Sequence, residues 1–181
     1  MRRMMLGCLV IVMLLSHFYT GAGSHAMAQT STPTKTSTHT PSPTPVLGNY
    51  TKISAGNGQT CALIANGTAY CWGGNLWGQL GSITNPFLSM APLAVTMPTG
   101  VAFADIKVSA QNTCALSTTG AAYCWGNNAQ YQSGNGNTTS TKVPVAVTMP
   151  AGVTFTALEV GDFQSCALDT NGTVYCWGNS N

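Results

Sequence analysis

The chain has 181 residues, of which only 6% are charged, far below the roughly 25% of an ordinary soluble domain. From residue 48 onward three lysines oppose four acidic residues, a net charge of −1. Such a balance offers no basic stripe to displace counterions from nucleic-acid phosphates. All three histidines precede residue 48, so the same region has no imidazole for acid–base catalysis or metal binding.

The first 28 residues have the pattern of a secretory signal peptide. Arg2 and Arg3 precede an apolar run over residues 4–15, and Ala26-Met27-Ala28 forms a small-x-small cleavage site. The run is short against the ~20 apolar residues of a spanning helix, so an uncleaved membrane anchor is the less favoured alternative. The sequence therefore predicts export, and an extracellular or cell-surface location.

Residues 29–47 form a linker composed almost wholly of threonine, serine and proline. A segment of this composition cannot bury a core, and it stays extended and partly polyproline-like. We expect it to be disordered and to act as a spacer that holds the following domain away from a membrane or wall.

Residues 48–181 contain one motif three times, a Cys-Ala-Leu followed ten residues later by Cys-Trp-Gly. The step between copies is 53 and then 52 residues, a period typical of propeller blades or solenoid units. Apolar residues alternate with mostly polar ones before each first cysteine, which indicates a strand. A further strand is predicted at 92–95 and again at 144–147, so a full copy has four strands.

The turn between the two cysteines of a copy predicts how they pair. If a three-residue loop ends in a left-handed glycine at Gly67, then Ile64 lies opposite Thr68, and Cys61 lies opposite Cys71. This is a non-hydrogen-bonded pair, whose Cα atoms are about 4.5 Å apart, within the range of a disulfide. The same counting pairs Cys114 with Cys124, and Cys166 with Cys176.

The rival interpretations of the six cysteines are a metal site and buried free thiols. Zinc sites usually have closely spaced cysteine pairs or histidine partners, and neither occurs in the repeats. Export favours the disulfide. Each bridge closes a short loop, which is worth about 2.5–3 kcal/mol on the chain-entropy model, and it stiffens one copy without tying it to the next.

The first copy resembles the regulator of chromosome condensation repeat, in its disulfide-bearing bacterial extracellular form. The resemblance rests on Cys61-Ala62-Leu63, Asn66-Gly67, Tyr70-Cys71-Trp72-Gly73, Asn75 and Gly78-Gln79-Leu80-Gly81. It extends over residues 47–181 and implies an all-β fold, a β-propeller of four-stranded blades in which each tryptophan and glycine packs the blade. We expect a partial propeller of roughly two and a half to three blades, whereas a closed ring needs a full set.

The second and third copies depart from the pattern of the first. Tyr131 and Ser133 replace the first glycine and the leucine of Gly-Gln-Leu-Gly, and the third copy stops at Asn181 before that segment. Two alternatives follow: the chain is a truncated fragment of a longer propeller without independent function, or it associates with itself through its open edges.

The repeats favour a non-enzymatic binding module without a cofactor or a metal. They contain no paired acid motif and no phosphate-binding loop, and Asp162 and Asp169 are interpreted as a loop carboxylate and the closing residue of a hairpin. Propellers commonly present loops to proteins or glycans, so a protein or a glycan is the expected partner. Trp77 and Tyr131, in the loops after Cys-Trp-Gly, are candidate binding aromatics, although packing between neighbouring blades is the favoured role for each.

One nuclear branch of the family binds chromatin and exchanges guanine nucleotides. A transfer of that activity to this chain would rest on fold-level analogy alone. The predicted export, the lack of basic charge and the incomplete ring all argue against it.

Overall fold

The computed structural model describes residues 48–84 and 86–179, so the predicted signal peptide and linker lie outside the described residues. The described part is built from antiparallel strands in three sheets, blades 1 to 3. Blade 1 contains β1 (Tyr50–Ala55), β2 (Gln59–Ile64), β3 (Ala69–Gly74) and β4 (Leu88–Ala94); blade 2 contains β5 (Phe103–Val108), β6 (Asn112–Ser117), β7 (Ala122–Gly126) and β8 (Thr141–Ala146); blade 3 contains β9 (Phe155–Val160), β10 (Gln164–Asp169) and β11 (Val174–Gly178). The predicted all-β class is confirmed. Within these residues there is no helix with the length and apolar character to cross a membrane.

The central hairpin of each blade has the turn that the sequence predicts. The amide of Ile64 donates to the carbonyl of Thr68 at 3.1 Å, and Gly67 has a φ of +82°, which favours glycine because it has no Cβ. Cys61 consequently lies opposite Cys71. The other two hairpins repeat this register, so the register predicted from the turn is confirmed.

The fourth strands form the outer edges of blades 1 and 2. They begin earlier than the predicted segments, at Leu88 and Thr141, and they contain Pro92 and Pro144. Proline lacks an amide donor and is confined within sheets to edges and bulges. An edge position after β3 or β7 therefore suits both strands.

The hydrophobic core lies mainly between the blades. Each of its two clusters combines the middle strands of one blade with the first strand of the next. The first cluster contains Cys61, Leu63, Ala69, Cys71, Leu80 and Val95 of blade 1 with Phe103, Ile106, Val108, Ala115 and Trp125 of blade 2. The second contains Cys114, Leu116, Ala122, Cys124 and Val147 of blade 2 with Phe155, Leu158 and Ala167 of blade 3. A single blade would expose these side chains, so each blade depends on its neighbour for stability.

Backbone hydrogen bonds also join successive blades. The amide of Phe103 donates to the carbonyl of Gly67 at 3.0 Å, and the amide of Phe155 donates to that of Gly120 at 2.9 Å. A Cβ at Gly67 would lie 2.8 Å from the backbone of Phe103. Gly67 is therefore needed twice, because it adopts the left-handed conformation of the turn and because it leaves room for the backbone of the next blade.

Candidate functional site

The loop between β3 and β4 is held by two polar side chains. Asn75 accepts a hydrogen bond from the amide of Leu80 through Oδ1, at 2.9 Å, and donates from Nδ2 to the carbonyl of Pro86 at 2.8 Å. Gln79 Oε1 accepts from the amide of Trp77 at 2.8 Å. The interpretation of Asn75 as a turn former agrees with these contacts, since both of its amide atoms organise the loop.

The corresponding loop of blade 2, between β7 and β8, has the same framework. Asn128 Oδ1 accepts from the amide of Ser133 at 2.8 Å, and Gln132 Oε1 accepts from the amide of Gln130 at 2.7 Å. Asn128 also donates to the carbonyl of Asn137 at 2.8 Å. The two loops therefore differ in the side chains that they present and not in how their first half is built.

One side of the blade 1 loop is buried against blade 2. The carbonyl of Gln79 accepts from Trp125 Nε1 and from Thr113 Oγ1, each at 2.9 Å. A Cβ at Gly81 would lie 2.7 Å from Trp125 Nε1. The resemblance implied that each tryptophan and glycine packs the blade. Trp125 does stack on Phe103 of its blade, with ring centroids 6.0 Å apart, but its indole also reaches the preceding blade.

The same junction recurs between blades 2 and 3. Trp177 Nε1 donates to the carbonyl of Gln132 at 2.9 Å, and a Cβ at Gly134 would lie 2.7 Å from Trp177 Cδ1. The close approach of Trp177 explains why the second copy keeps Gly134. Any residue would offer Trp177 a backbone carbonyl, so Gln132 is explained by its side chain, whose Oε1 accepts from the amide of Gln130. Ser133 is fully buried, as is its counterpart Leu80 in the cluster between blades 1 and 2, whereas Tyr131 is 53% exposed.

The other side of the blade 1 loop is exposed and apolar. Six side chains of the loop and of the beginning of β4, which we call the apolar loop surface, are between 40% and 87% exposed: Leu76, Trp77, Ile83, Phe87, Leu88 and Met90. At the positions of Leu76 and Trp77, blade 2 has Ala129 and Gln130. Residues 133–140 of its loop are all serine, glycine, asparagine or threonine. Several large apolar side chains exposed within a short segment are unusual on a soluble protein and favour an interaction site. The apolar loop surface is therefore the strongest candidate site.

Sequence reasoning selected only Trp77 from this surface. It missed Leu76, Ile83 and Phe87 because the loop has no periodic pattern that separates exposed from buried residues. It missed Leu88 and Met90 because they lie in the part of β4 before the predicted segment. A signal was present in the comparison of copies, since the loop of blade 1 is apolar where that of blade 2 is polar.

Tyr131, the second predicted aromatic, lies on the corresponding loop of blade 2. It has a φ of +60°, and its side chain is 53% exposed. Gly78, its counterpart in blade 1, has a φ of +82° and lies against Lys142, whose Cα would be 2.9 Å from an added Cβ. A left-handed conformation costs a residue with a Cβ about 1–2 kcal/mol, so the loop holds Tyr131 in a strained backbone.

We expect Tyr131→Gly to stabilise the chain by about 0.5–1 kcal/mol, because the strain removed exceeds the added entropy of the unfolded chain. Gln130→Gly is the matched control, and it should lower stability because Gln130 lies outside the set of residues with positive φ. Urea unfolding measures both free energies. A Tyr131→Gly variant less stable than the wild type would show that the side chain contributes more than the strain costs.

Structural contacts shift the pKa values of Asp169 and Lys107. The backbone amide of Thr173, and that of Asn171, hold the pKa of Asp169 below its usual value, and both amides lie 2.8 Å from Oδ1. Lys107 donates to Glu159 at 2.9 Å across the junction of blades 2 and 3, which raises the pKa of Lys107. Among the described residues, no three histidine, cysteine, aspartate or glutamate side chains gather where they could hold a metal ion.

The six cysteines of the repeats lie in pairs within their own blades. The Cα–Cα distances are 4.1 Å for Cys61 and Cys71, 4.0 Å for Cys114 and Cys124, and 4.1 Å for Cys166 and Cys176. Their sulfur atoms lie at bonding distance. Cys114 and Cys124 are fully buried between blades 2 and 3, so the pairs belong to the scaffold and stand apart from the exposed apolar loop surface.

Stacked antiparallel blades joined by the tryptophans of the second and third motifs define a propeller-type repeat protein. The family model described as the Regulator of chromosome condensation (RCC1) repeat matches residues 66–116 and 119–168, and a second model of that repeat matches residues 103–132. These matches cover more than half of the chain, which therefore belongs to the RCC1 repeat family.

Solved structures confirm the fold as part of a β-propeller. Human WBSCR16 superposes with a TM-score of 0.66 at 20% identity, covering 72% of this chain and 33% of that one. Prp20p from Saccharomyces cerevisiae has a TM-score of 0.63 at 22% identity, covering 72% and 33%. The human E3 ubiquitin-protein ligase HERC2 is 26% identical over 126 residues, which are 70% of this chain and 3% of the ligase. The chain thus spans a third of the two propellers and a small part of the ligase.

Proposed function

We propose that this chain is a secreted or cell-surface binding module without enzymatic activity, and that it holds a protein partner through the apolar loop surface of blade 1. The observation that carries the proposal is the exposure of six apolar side chains on the beginning of β4 and on the loop before it, whose framework is fixed by Asn75 and Gln79. A rigid scaffold that presents a variable loop is a common arrangement for recognition.

The composition of the surface favours a protein over a glycan. Trp77, Phe87 and Met90 belong to residue types that are enriched at protein interfaces, where charged residues are depleted from the centre. Prp20p, which shares the fold, has binding properties toward the proteins Gsp1p and histones. Because this chain covers only part of such propellers, its own partner is proposed from the loop chemistry.

Two observations support an exported protein. The cysteine pairs at bonding distance favour an oxidising compartment, and the first 28 residues have the pattern of a signal peptide. The absence of histidine from the repeats supports a role in binding over acid–base catalysis.

We expect Phe87→Asp and Met90→Asp each to weaken the binding of the partner by about 30-fold or more, the effect of losing an interface side chain worth ~2 kcal/mol. The chain is immobilised, extracellular proteins of the source organism are passed over it, and the retained protein is purified and titrated by biolayer interferometry. Both residues are largely exposed, so neither substitution should change the thermal midpoint.

Asn137→Asp is the matched control, because it adds the same charge to the loop of blade 2 and keeps the acceptor for the amide of Thr139. It should bind as the wild type does. Unchanged binding by both blade 1 variants would contradict the proposed surface. Binding to a glycan array with no retained protein would replace the protein by a glycan as the partner.

A further inference from the structure

Four triplets of the chain consist of asparagine, a residue other than proline, and threonine. In exported proteins this pattern is the acceptor for N-linked glycans, and it lies in surface loops. The triplets begin at Asn49, Asn66, Asn137 and Asn171. Because the chain is rich in asparagine and threonine, the triplet alone does not identify a site, and the structure distinguishes the four.

The triplets at Asn66 and Asn137 share one local geometry. Asn66 Oδ1 accepts a hydrogen bond from the amide of Thr68 at 2.9 Å, and Asn137 Oδ1 accepts from that of Thr139 at 2.8 Å. Each side chain is thereby held by its oxygen against its own turn. Within the part of the chain that the structure describes, neither Nδ2 atom donates a hydrogen bond. The nitrogen that a glycan joins is therefore unbonded at both positions.

The other two triplets are arranged differently. In the triplet at Asn171, the amide of Thr173 donates to Asp169 Oδ1 at 2.8 Å instead of to the asparagine. In the triplet at Asn49, the hydroxyl of Thr51 donates to a carbonyl of β2 at 3.3 Å, so the threonine belongs to the sheet. The geometry of the first pair is therefore not a general property of the triplet.

The exposure of the two sites is a property of the turns themselves. Asn66 is exposed although blade 2 packs against the same turn. Thr119 occupies its position in blade 2, which has a blade on either side, and it is exposed as well. Asn137 is exposed on the loop of blade 2, and so is Thr84, its counterpart on blade 1, beside the complete loop of blade 2. Both sites therefore have room for a glycan between neighbouring blades.

We propose that Asn66 and Asn137 are attachment sites for N-linked glycans, an inference that rests on the export in the proposed function. The donor is a lipid-linked oligosaccharide, whose sugar is joined through C1 to a diphosphate. Nδ2 forms the new bond to C1 and loses one proton, while the bond from C1 to the diphosphate oxygen breaks and its electrons leave with the lipid diphosphate. The threonine hydroxyl is part of the pattern that the transferase reads.

Neither glycan would cover the apolar loop surface. Asn66 lies in the turn before β3, whereas Leu88 pairs with Gly74 at the opposite end of that strand. Asn137 lies on the loop of another blade. A protein without either glycan should therefore hold the proposed partner as the wild type does, and the two proposals can fail separately.

A tryptic digest of the chain recovered from the extracellular fraction of its source organism tests the proposal. Cleavage after lysine places Asn66 in peptide 53–107 and Asn137 in peptide 108–142, each with a single triplet. Each peptide should be heavier by one glycan than the mass calculated from its sequence, and fragmentation should locate the added mass on the asparagine. Both peptides at their calculated mass, or a glycan on Asn171 alone, would overturn the proposal.

Variants of the two threonines show whether the triplet directs the attachment. Thr68→Val and Thr139→Val remove the hydroxyl but keep the asparagine and the backbone amide that holds its Oδ1. Each should lose the added mass from its own peptide only, whereas Thr68→Ser and Thr139→Ser should retain it. Added mass that persists in the valine variants would contradict the sites. An exported chain without glycans would overturn this inference alone, and a chain retained inside the cell would overturn the export as well.

Discussion

Replacing Cys114 and Cys124 together by alanine is expected to destabilise the chain by about 3–5 kcal/mol, in the upper part of the range for removing a native disulfide. The bridge closes the β6–β7 hairpin of blade 2. On the chain-entropy model the short loop accounts for about 2.5–3 kcal/mol of the loss. The remainder arises because both cysteines are fully buried between blades 2 and 3, so their sulfur atoms leave cavities.

The pair in blade 3 is a matched control. Cys166 and Cys176 have the same sequence separation of 10 residues, but Cys166 is half-buried and Cys176 is exposed. The double alanine variant should therefore lose only the loop-closure part, about 2.5–3 kcal/mol. Chemical denaturation of both variants under oxidising conditions measures the difference. Equal losses would contradict the argument from burial, and no loss in either would contradict stabilisation by the bridges.

Trp125→Ala is expected to lower the free energy of unfolding by about 3–5 kcal/mol, as large-to-small substitutions of buried aromatic residues do. The indole is fully buried, stacks on Phe103, and donates to the carbonyl of Gln79. Because its contacts lie in blade 2 and across the junction to blade 1, its loss should loosen both blades at once. Hydrogen exchange should then increase in β3 as well as in β7.

Two further variants separate the contributions of Trp125. Trp125→Phe keeps a ring beside Phe103 and leaves the carbonyl of Gln79 hydrogen-bonded to Thr113 Oγ1. We therefore expect it to lower the free energy of unfolding by only about 1–2 kcal/mol. Trp77→Ala removes the same side chain from a partly exposed loop position, and its cost should stay within about 1 kcal/mol. A cost at Trp77 equal to that at Trp125 would show that the exposed aromatic also supports the fold.

The hairpins could be predicted from the sequence because their information is local. Gly67 and its counterparts require a left-handed conformation, and that single requirement sets the register of the two strands beside each turn. Cys61 and Cys71 then face each other without any knowledge of the rest of the molecule.

The location of the core could not be predicted in the same way. Alternation in β5 shows that Ile106 points to one face, but not that Leu63 of the preceding blade covers it. The contact of Trp125 with Gln79 joins residues 46 positions apart, and no turn or spacing in the sequence indicates it. For the same reason the sequence does not indicate that Gly81 leaves room for the indole of Trp125.

Two aromatics of the variable loops were predicted as candidate binding residues, with packing between neighbouring blades as the favoured role of each. The sequence indicates Trp77 and Tyr131 as aromatics in variable loops, and both are partly exposed. Phe87 was missed because it lies in a loop without a periodic pattern, and Met90 because it lies in the part of β4 before the predicted segment. Apolar residues in a strand or next to it usually indicate burial, and here the same residue types mark a surface.

The central claim is that each of the three blades has its own disulfide bridge. A tryptic map of the non-reduced chain tests this claim most directly. Lysines at 52, 107 and 142 separate the three pairs, so each pair lies within a single peptide. We expect three unlinked peptides, each lighter than its reduced form by two hydrogen atoms. Two of these peptides joined by a disulfide, or free thiols at the six cysteines of the repeats, would contradict a separate bridge in each blade.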